Sequence, residues 1–577
     1  WSAVNLHTGQ TIWTQNYTTN LRCGQIMNYL SPNEYGGRAY LWATGSVPGV
    51  YSAPGTTTYS MYDAMTGNYI LAIVNGSSIS KLTIDDHGGL IGYYLNSTGT
   101  GSSTQTSLTV WNSTRTIMRG VSGTGDPQGW QWQPPMNGVL AFQNGIQWTA
   151  PVNTTYNGNL ITPLSISGMD SNVVLLTYTS AASSYFQPGW YIEAGYSAKD
   201  GHLLWGPLNR TETENSRINI ASECMSDGAW IETDQSTLTA TGYDLATGNK
   251  LWGPEALPNA RAYSSLGMRY TTAPNGTVII WTYGGDAYSI TARTGKVNWE
   301  YHTPSGGYES PYGVWPFWTF SVGTVADGKF FIPIGHMYSP PLFHDAKQMA
   351  INITDGSVVW SILAFDVTSA PAVSDGVMTT LNAYDNQIYA WGKGPTKMTV
   401  TAPDVGVTTS APITIRGTIM DISAGSKQEA PAARFPNGLP CVSEASQQAW
   451  MEYVYMQQPR PTNATGVPVQ LFVLDANGNY RSIGSTTSDD SGMFTYSWTP
   501  DIPGEYKVYA RFEGSESYYA ASAETSFTAT EVTTTPTPTT VTTQSTADLY
   551  FIPAVIAIII AIVIGFAVTI VVLRKRP

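Results

Sequence analysis

The chain has 577 residues, of which 12% are charged and 12% aromatic, with 56 glycines and 35 prolines. That length accommodates several domains, and the composition suits many short strands joined by turns. A net charge of −13 with no block of Lys or Arg excludes a phosphate-binding stripe, and with it nucleic-acid binding.

A repeat comes first in the chain. Residues 196–205 (YSAKDGHLLW), 243–252 (YDLATGNKLW) and 290–299 (ITARTGKVNW) share one pattern. Trp205, Trp252 and Trp299 are each 47 residues apart, and Gly201, Gly248 and Gly295 stand four residues before them. Gly9 with Trp13 and Gly356 with Trp360 keep the spacing, while Gly67 has Leu71 in the tryptophan slot. A period of roughly 40–50 residues built from short strands indicates a β-propeller or a related array. The Asp or Asn before each glycine can cap a turn, the glycine supplies its left-handed residue, and the tryptophan wedges against the next blade.

Blade ends at Trp13, Leu71, one position within 118–148, Trp205, Trp252, Trp299 and Trp360 predict seven blades. Residues 108–112 (LTVWN) and 145–148 (GIQW) both look like strands, so eight blades stay open. The last strands, near 375–391, have no Thr-Gly-x-x-x-Trp of their own. Residues 1–13 supply that half, so the two ends of the domain are expected to share one blade and close the ring.

This pattern resembles the PQQ-like propeller repeat, whose signature is Ala-x-Asp-x-x-Thr-Gly-x-x-x-Trp, over about residues 1–395. The resemblance implies an all-β propeller. The family includes quinone-dependent alcohol and sugar dehydrogenases as well as non-catalytic members that scaffold envelope assembly. Its dehydrogenases carry an adjacent Cys-Cys pair over the quinone and carboxylate and Asn ligands for calcium. Here Cys23, Cys224 and Cys441 are far apart and no calcium set stands out, so no cofactor is predicted. The three cysteines leave open one disulfide with an odd thiol, or three buried single cysteines.

His336 and His344, with Met337, Asp345 and Met349, form the densest group of candidate ligands and can be read as a site for copper or another transition metal, or as a loop whose imidazoles bond to backbone. The six histidines are otherwise scattered without a nucleophile motif. Aromatic stretches at Trp130–Trp132 and Tyr308–Phe320 suit stacking on sugar rings or docking of a partner, and equally suit packing between blades.

After Pro395 the repeats cease, and residues 396–530 read as a sandwich of alternating strands that resembles bacterial and archaeal immunoglobulin-like surface modules, with Tyr506 at a tyrosine-corner position. Asp475, Asn477 and Asn479 alternate like calcium ligands, but an Asn-Gly hairpin turn explains them. An insertion at about 421–465 contains a predicted helix, residues 443–458, with Ser443 as N-cap and Ala445, Ala449, Trp450, Tyr453 and Val454 on the face that packs against the propeller.

Residues 531–548 (EVTTTPTPTTVTTQSTAD) cannot bury apolar area and are expected to form an extended stalk. From Leu549 to Leu573 no charged residue occurs, a run long enough to cross a membrane, and Arg574-Lys575-Arg576 follow. By the positive-inside rule the tail 574–577 is cytoplasmic and the rest lies outside the plasma membrane. The start at Trp1, within a repeat, suggests a removed secretion signal or a fragment. Nine Asn-x-Ser/Thr sequons are glycosylation candidates: Asn16, Asn75, Asn96, Asn112, Asn153, Asn209, Asn275, Asn352 and Asn463.

The layout resembles archaeal envelope proteins. The expectation is therefore a single-pass, glycosylated cell-surface protein with a non-catalytic binding, adhesion or envelope-scaffold role. Its partners would be the membrane, other envelope proteins or glycans, or further copies of itself. The rival is an extracellular oxidoreductase using a quinone or copper held in the propeller.

Overall fold

The computed structural model describes residues 1–577 except 29–34, 123–131, 133, 180–189, 212–217, 220–223, 309, 311–312, 318–322, 336–343, 367–370, 532–544 and 577. The described chain is mostly β, in many sheets, with one long apolar helix at its C-terminal end.

After a hairpin of Ser2–Val4 and Thr11–Thr14, the described residues form seven sheets of three or more strands in chain order within residues 20–76, 81–152, 165–209, 218–256, 268–302, 324–363 and 372–392, with a small hairpin of Thr155–Tyr156 and Asn159–Leu160 between the second and third. Most are antiparallel meanders of four strands, in which short turns connect neighbours. Their middle strands are apolar and buried on both sides, as in Thr277–Thr282 and Lys329–Ile334. A strand that faces neighbours on both sides loses the alternation seen in half-exposed sheets.

The repeated glycine and tryptophan explain how one sheet packs on the next. Trp205, on the fourth strand of the third sheet, lies between two glycines. A Cβ on Gly195 of its own sheet would come within 2.2 Å of the indole nitrogen, and one on Gly248 of the fourth sheet within 2.6 Å of the ring. Trp252 is held the same way by Gly242 and Gly295. Gly248 and Gly295 have φ of +70° and +73°, a backbone state that any other residue adopts with strain. Each indole N–H also donates to a backbone carbonyl in the neighbouring turn: Trp13 to Ala64 (3.0 Å), Trp205 to Leu245 (2.8 Å), Trp252 to Ala292 (2.7 Å) and Trp299 to Ile353 (2.8 Å). In every case the acceptor stands three residues before the glycine.

Two expectations about strand order change. Residues 108–112 and 146–148 do not end separate repeats. They lie on strands Gln105–Asn112 and Ile146–Val152, which pair antiparallel in the second sheet, with Val110 opposite Trp148. The intervening segment contributes a helix, Ser113–Ser122, and a strand, Gly138–Ala141, that adds in parallel to the first sheet. Trp148 then packs on Gly201, as the other tryptophans do on their glycines. The shared sheet expected between the two ends of this region is not formed. Among the described residues, Ser2–Val4 and Thr11–Thr14 pair only with each other, and Gln387–Gly392 pairs only with Val377–Asn382.

Residues 396–530 form two further sheets over one shared core. Met398 and Ile415 from one sheet meet Leu471, Val473 and Val508 from the other. Tyr506 is fully buried there, and its hydroxyl donates to the Ile502 carbonyl and accepts from the Ile502 N–H, both at 3.0 Å. The hairpin Pro468–Leu474 to Tyr480–Thr487 turns at Gly478, as expected. The insertion holds helices Glu429–Arg434 and Glu444–Tyr455. Ser443 occupies the N-cap position, but its hydroxyl meets those of Ser446 and Thr465 rather than a helix N–H. The buried stripe is Ser446, Trp450 and Val454, while Ala445 and Ala449 are exposed, a correction of about one residue in helix phase. This helix reaches the sixth sheet, where Glu452 accepts from the Leu363 N–H at 3.0 Å.

The C-terminal helix, Thr546–Arg574, has 29 residues and a mean hydropathy of 3.3 in its most apolar window. At about 1.5 Å per residue it is longer than a hydrocarbon core of about 30 Å. None of its residues is buried by the other described residues.

Candidate functional site

The strands run antiparallel and the tryptophan clasps join like turns of successive sheets. Turns between first and second strands and between third and fourth strands therefore share one face, here the turn face. Connections between second and third strands, and between sheets, share the opposite loop face.

On the loop face of the fifth sheet, Asp286 begins the third strand and His302 ends the fourth. The fully buried Asp286 carboxylate meets His302 Nδ1 at 2.8 Å and accepts from the Ser264 hydroxyl at 2.6 Å and the Arg261 N–H at 2.8 Å. The Arg261 guanidinium lies 3.5 Å from the same carboxylate and donates to the Thr303 carbonyl at 2.8 Å. Glu300 Oε2 is 3.6 Å from His302 Nε2. A carboxylate that orients an imidazole is half of a nucleophile-activating arrangement. Here the nearby hydroxyl, Ser264, bonds to the carboxylate instead of the imidazole. The group is arranged to tie the 261–266 and 283–285 segments to the sheet.

A second charged group lies between the third and fourth sheets. Glu193 is fully buried, with Arg210 Nε at 3.3 Å and the Arg210 guanidinium carbon 4.3 Å from the Tyr243 ring centroid. Burial and then the neighbouring Glu232 push the Glu193 carboxyl well above the usual carboxylate range, and Arg210 offsets this only in part. Glu232 accepts from the Trp230 indole at 3.0 Å. Neither cluster is legible in the sequence, since Asp286 stands 25 residues from Arg261 and 16 from His302, and Glu193 stands 17 from Arg210, with no motif between them.

The predicted metal ligands are not brought together as a described site. His336 and Met337 lie outside the described residues, and His344 is exposed. Among the described residues, no three His, Cys, Asp or Glu side chains are grouped to hold a metal ion. Cys23, Cys224 and Cys441 are free thiols associated with three different cores. They cannot form the adjacent pair that covers a quinone, so the donor set does not fit that cofactor. Asp475 likewise spends its carboxylate on the turn, accepting from the Asn477 and Asn479 N–H groups at 3.0 Å each.

Most of the predicted aromatic contact residues are core. Trp132 is buried, its indole donating to the Tyr40 hydroxyl at 3.2 Å, and Trp130 lies outside the described residues. Trp315 and Phe317 fill the core between the fifth and sixth sheets, and Tyr308 alone of these four described residues is fully exposed. Of the sequons, Asn16, Asn75, Asn96, Asn153, Asn209, Asn275 and Asn463 are exposed, whereas Asn112 and Asn352 are half-buried.

No protein-family model matches the chain, and no curated protein matches it. Among solved structures it is similar to the computationally designed Ika8 protein, with 10% identity over 64% of this chain and 96% of that one, at a TM-score of 0.30. It is also similar to BamB from Moraxella catarrhalis, with 14% identity over 62% and 89% of the two chains and a TM-score of 0.29. Sqt1 from Saccharomyces cerevisiae matches with 10% identity over 69% and 96%, also at 0.29. Overlaps this loose leave the reading of the molecule to its own residues.

Proposed function

We propose that the protein is a single-pass, membrane-anchored surface protein whose extracellular part serves a non-catalytic binding, adhesion or envelope-scaffold role. The carrying observation is the helix Thr546–Arg574, apolar along its length, not buried by the other described residues and followed by basic residues. We also infer that residues 1–395 form a PQQ-like propeller, with the clasped sheets as blades, and that 396–530 form an immunoglobulin-like sandwich. The exposed sequons support an external location, and the Thr/Pro-rich segment 531–548 fits a stalk that sets both units off the membrane. Support for a binding role is the commitment of two buried charged clusters, at Asp286 and Glu193, to joining segments of sheet. Partners would be other envelope proteins, glycans or further copies of the chain.

Protease treatment of intact cells tests the reading. The expected result is loss of all fragments N-terminal to residue 549, with a short C-terminal peptide kept in the membrane. Full protection of the sheet region in intact cells, with digestion only after lysis, would reject it.

A further inference from the structure

The nine sequons are distributed unevenly over the fold. Asn16 follows the first hairpin, Asn75 ends a fourth strand, Asn96 lies near the end of a second strand, Asn153 follows a fourth strand and Asn209 ends one. All five therefore lie on the loop face, within the hairpin and the first three sheets, and all five are exposed. From residue 210 to 395 the only sequons are Asn275 and Asn352, in turns of the opposite face. The loop face of the fourth to seventh sheets has none, and Tyr263 and Tyr308 are exposed there.

Two of the nine are half-buried as well as bonded into the fold, whereas Asn75, which accepts from the Ala53 N–H at 2.8 Å, stays exposed. The Asn112 side chain caps the helix Ser113–Ser122 by accepting from the Arg115 N–H at 2.9 Å. Ser113 is buried, its hydroxyl accepting from the Leu90 N–H at 2.9 Å, and the Thr114 hydroxyl is buried as well. Asn352 opens one of the tryptophan-clasped turns. Its side-chain Oδ1 accepts from the Thr354 N–H at 2.8 Å, the backbone carbonyl of Ile353 holds the Trp299 indole at 2.8 Å, and Gly356 lies under that ring. At Asn153 and Asn209 the same kind of local bond forms with Thr155 and Thr211, but both asparagines are exposed; the Thr211 hydroxyl also accepts from the Tyr191 N–H at 2.9 Å.

We propose that the folded chain sorts its sequons. Asn16, Asn75, Asn96, Asn153 and Asn209 carry N-linked glycans that shield the loop face of the early sheets, Asn112 and Asn352 stay unmodified, and the loop face of the fourth to seventh sheets is left bare. Asn275 and Asn463, exposed outside this patch, are acceptors too. The inference rests on the surface location proposed above. Transfer from a lipid-linked glycosyl phosphate joins Asn Nδ2 to the anomeric carbon and breaks that carbon's bond to phosphate oxygen. One Nδ2 proton passes to a base and the lipid phosphate leaves. The transferase must therefore reach both the amide and the hydroxyl two residues on; at Asn112 the capping amide and the buried Thr114 hydroxyl are both withdrawn, and at Asn352 the half-buried amide is held in the clasped turn although Thr354 is exposed.

Glycopeptide mass mapping of the full-length protein, extracted from its native membrane, tests this. The expected map has glycan on the five loop-face peptides and no modified peptide for Asn112 or Asn352. Occupancy of Asn112 or Asn352 matching that of Asn96 would overturn the sorting while leaving the surface location intact. Nine unmodified sequons would overturn the sorting, and intact-cell protease accessibility would then show whether the surface location falls with it.

Discussion

The Trp252 indole N–H donates to the Ala292 carbonyl at 2.7 Å, three residues before the glycine that lies under the same ring. One side chain thus supplies the apolar wedge and the hydrogen bond that join the fourth sheet to the fifth. The tryptophan requires a glycine beneath it, and the glycine's left-handed backbone turns the carbonyl toward the indole. The clasp links each tryptophan to the glycine of the following repeat, so Gly67 still seats Trp13 although Leu71 stands in its own tryptophan slot.

Gly295→Ala should therefore be much more damaging than Gly9→Ala. Both glycines have a positive φ, but a Cβ at Gly295 meets Trp252 at 2.6 Å, while one at Gly9 meets nothing within 4 Å. Backbone strain of about 1–2 kcal/mol applies to each, and overpacking adds about 1–3 kcal/mol at Gly295 alone. Calorimetry of the detergent-solubilised protein should show the larger drop in Tm for Gly295→Ala, and equal drops would contradict the clasp.

Glu452 accepts from the Leu363 N–H at 3.0 Å, tying the insertion helix to the outer strand of the sixth sheet. Glu452→Ala leaves that amide without its partner, a loss of about 1–3 kcal/mol. Hydrogen exchange at Leu363 should speed up in Glu452→Ala and stay slow in Glu452→Gln, which keeps a carbonyl acceptor.

Burial raises the Asp366 carboxyl from 3.8 to about 6, with the Thr380 hydroxyl only partly offsetting it. Because the folded value is the higher one, the protonated carboxyl's contribution is complete below about pH 4 and is lost as pH rises through about 6. The shift corresponds to about 3 kcal/mol between those limits. Asp366→Asn should flatten the stability profile over this range and raise Tm at pH 7. A profile as steep as that of the parent protein would assign the dependence elsewhere.

The Tyr506 hydroxyl bonds to both the N–H and the carbonyl of Ile502, and to Asp501 at 3.0 Å. Tyr506→Phe keeps the ring in the core and removes these bonds, at a cost of about 1–3 kcal/mol. Chemical denaturation should shift the midpoint without a change in slope. An unchanged midpoint would mean that the corner bonds contribute nothing net.

Local chemistry made much of this protein readable before any coordinates. A Thr-Gly turn, a tryptophan four residues on, an Asn-Gly hairpin and an uncharged run of 25 residues each act over a few neighbours or along one helix, so their spacing carries their meaning. The helix phase around Trp450 was read about one residue off, because Ala445 and Ala449 are small enough to suit either face. Other features depended on which distant segments become neighbours. Pairing of Gln105–Asn112 with Ile146–Val152 across a helical insertion, the meeting of Asp286 with His302 and Arg261, and the half-burial of Asn112 beside the exposure of Asn96 all follow from sheet packing. The sequence alone determined turns, strands and the long apolar C-terminal helix, since these obey short-range sterics and hydropathy. The tertiary structure decided the partners of strands and charges, since burial and hydrogen bonding are satisfied across the whole fold.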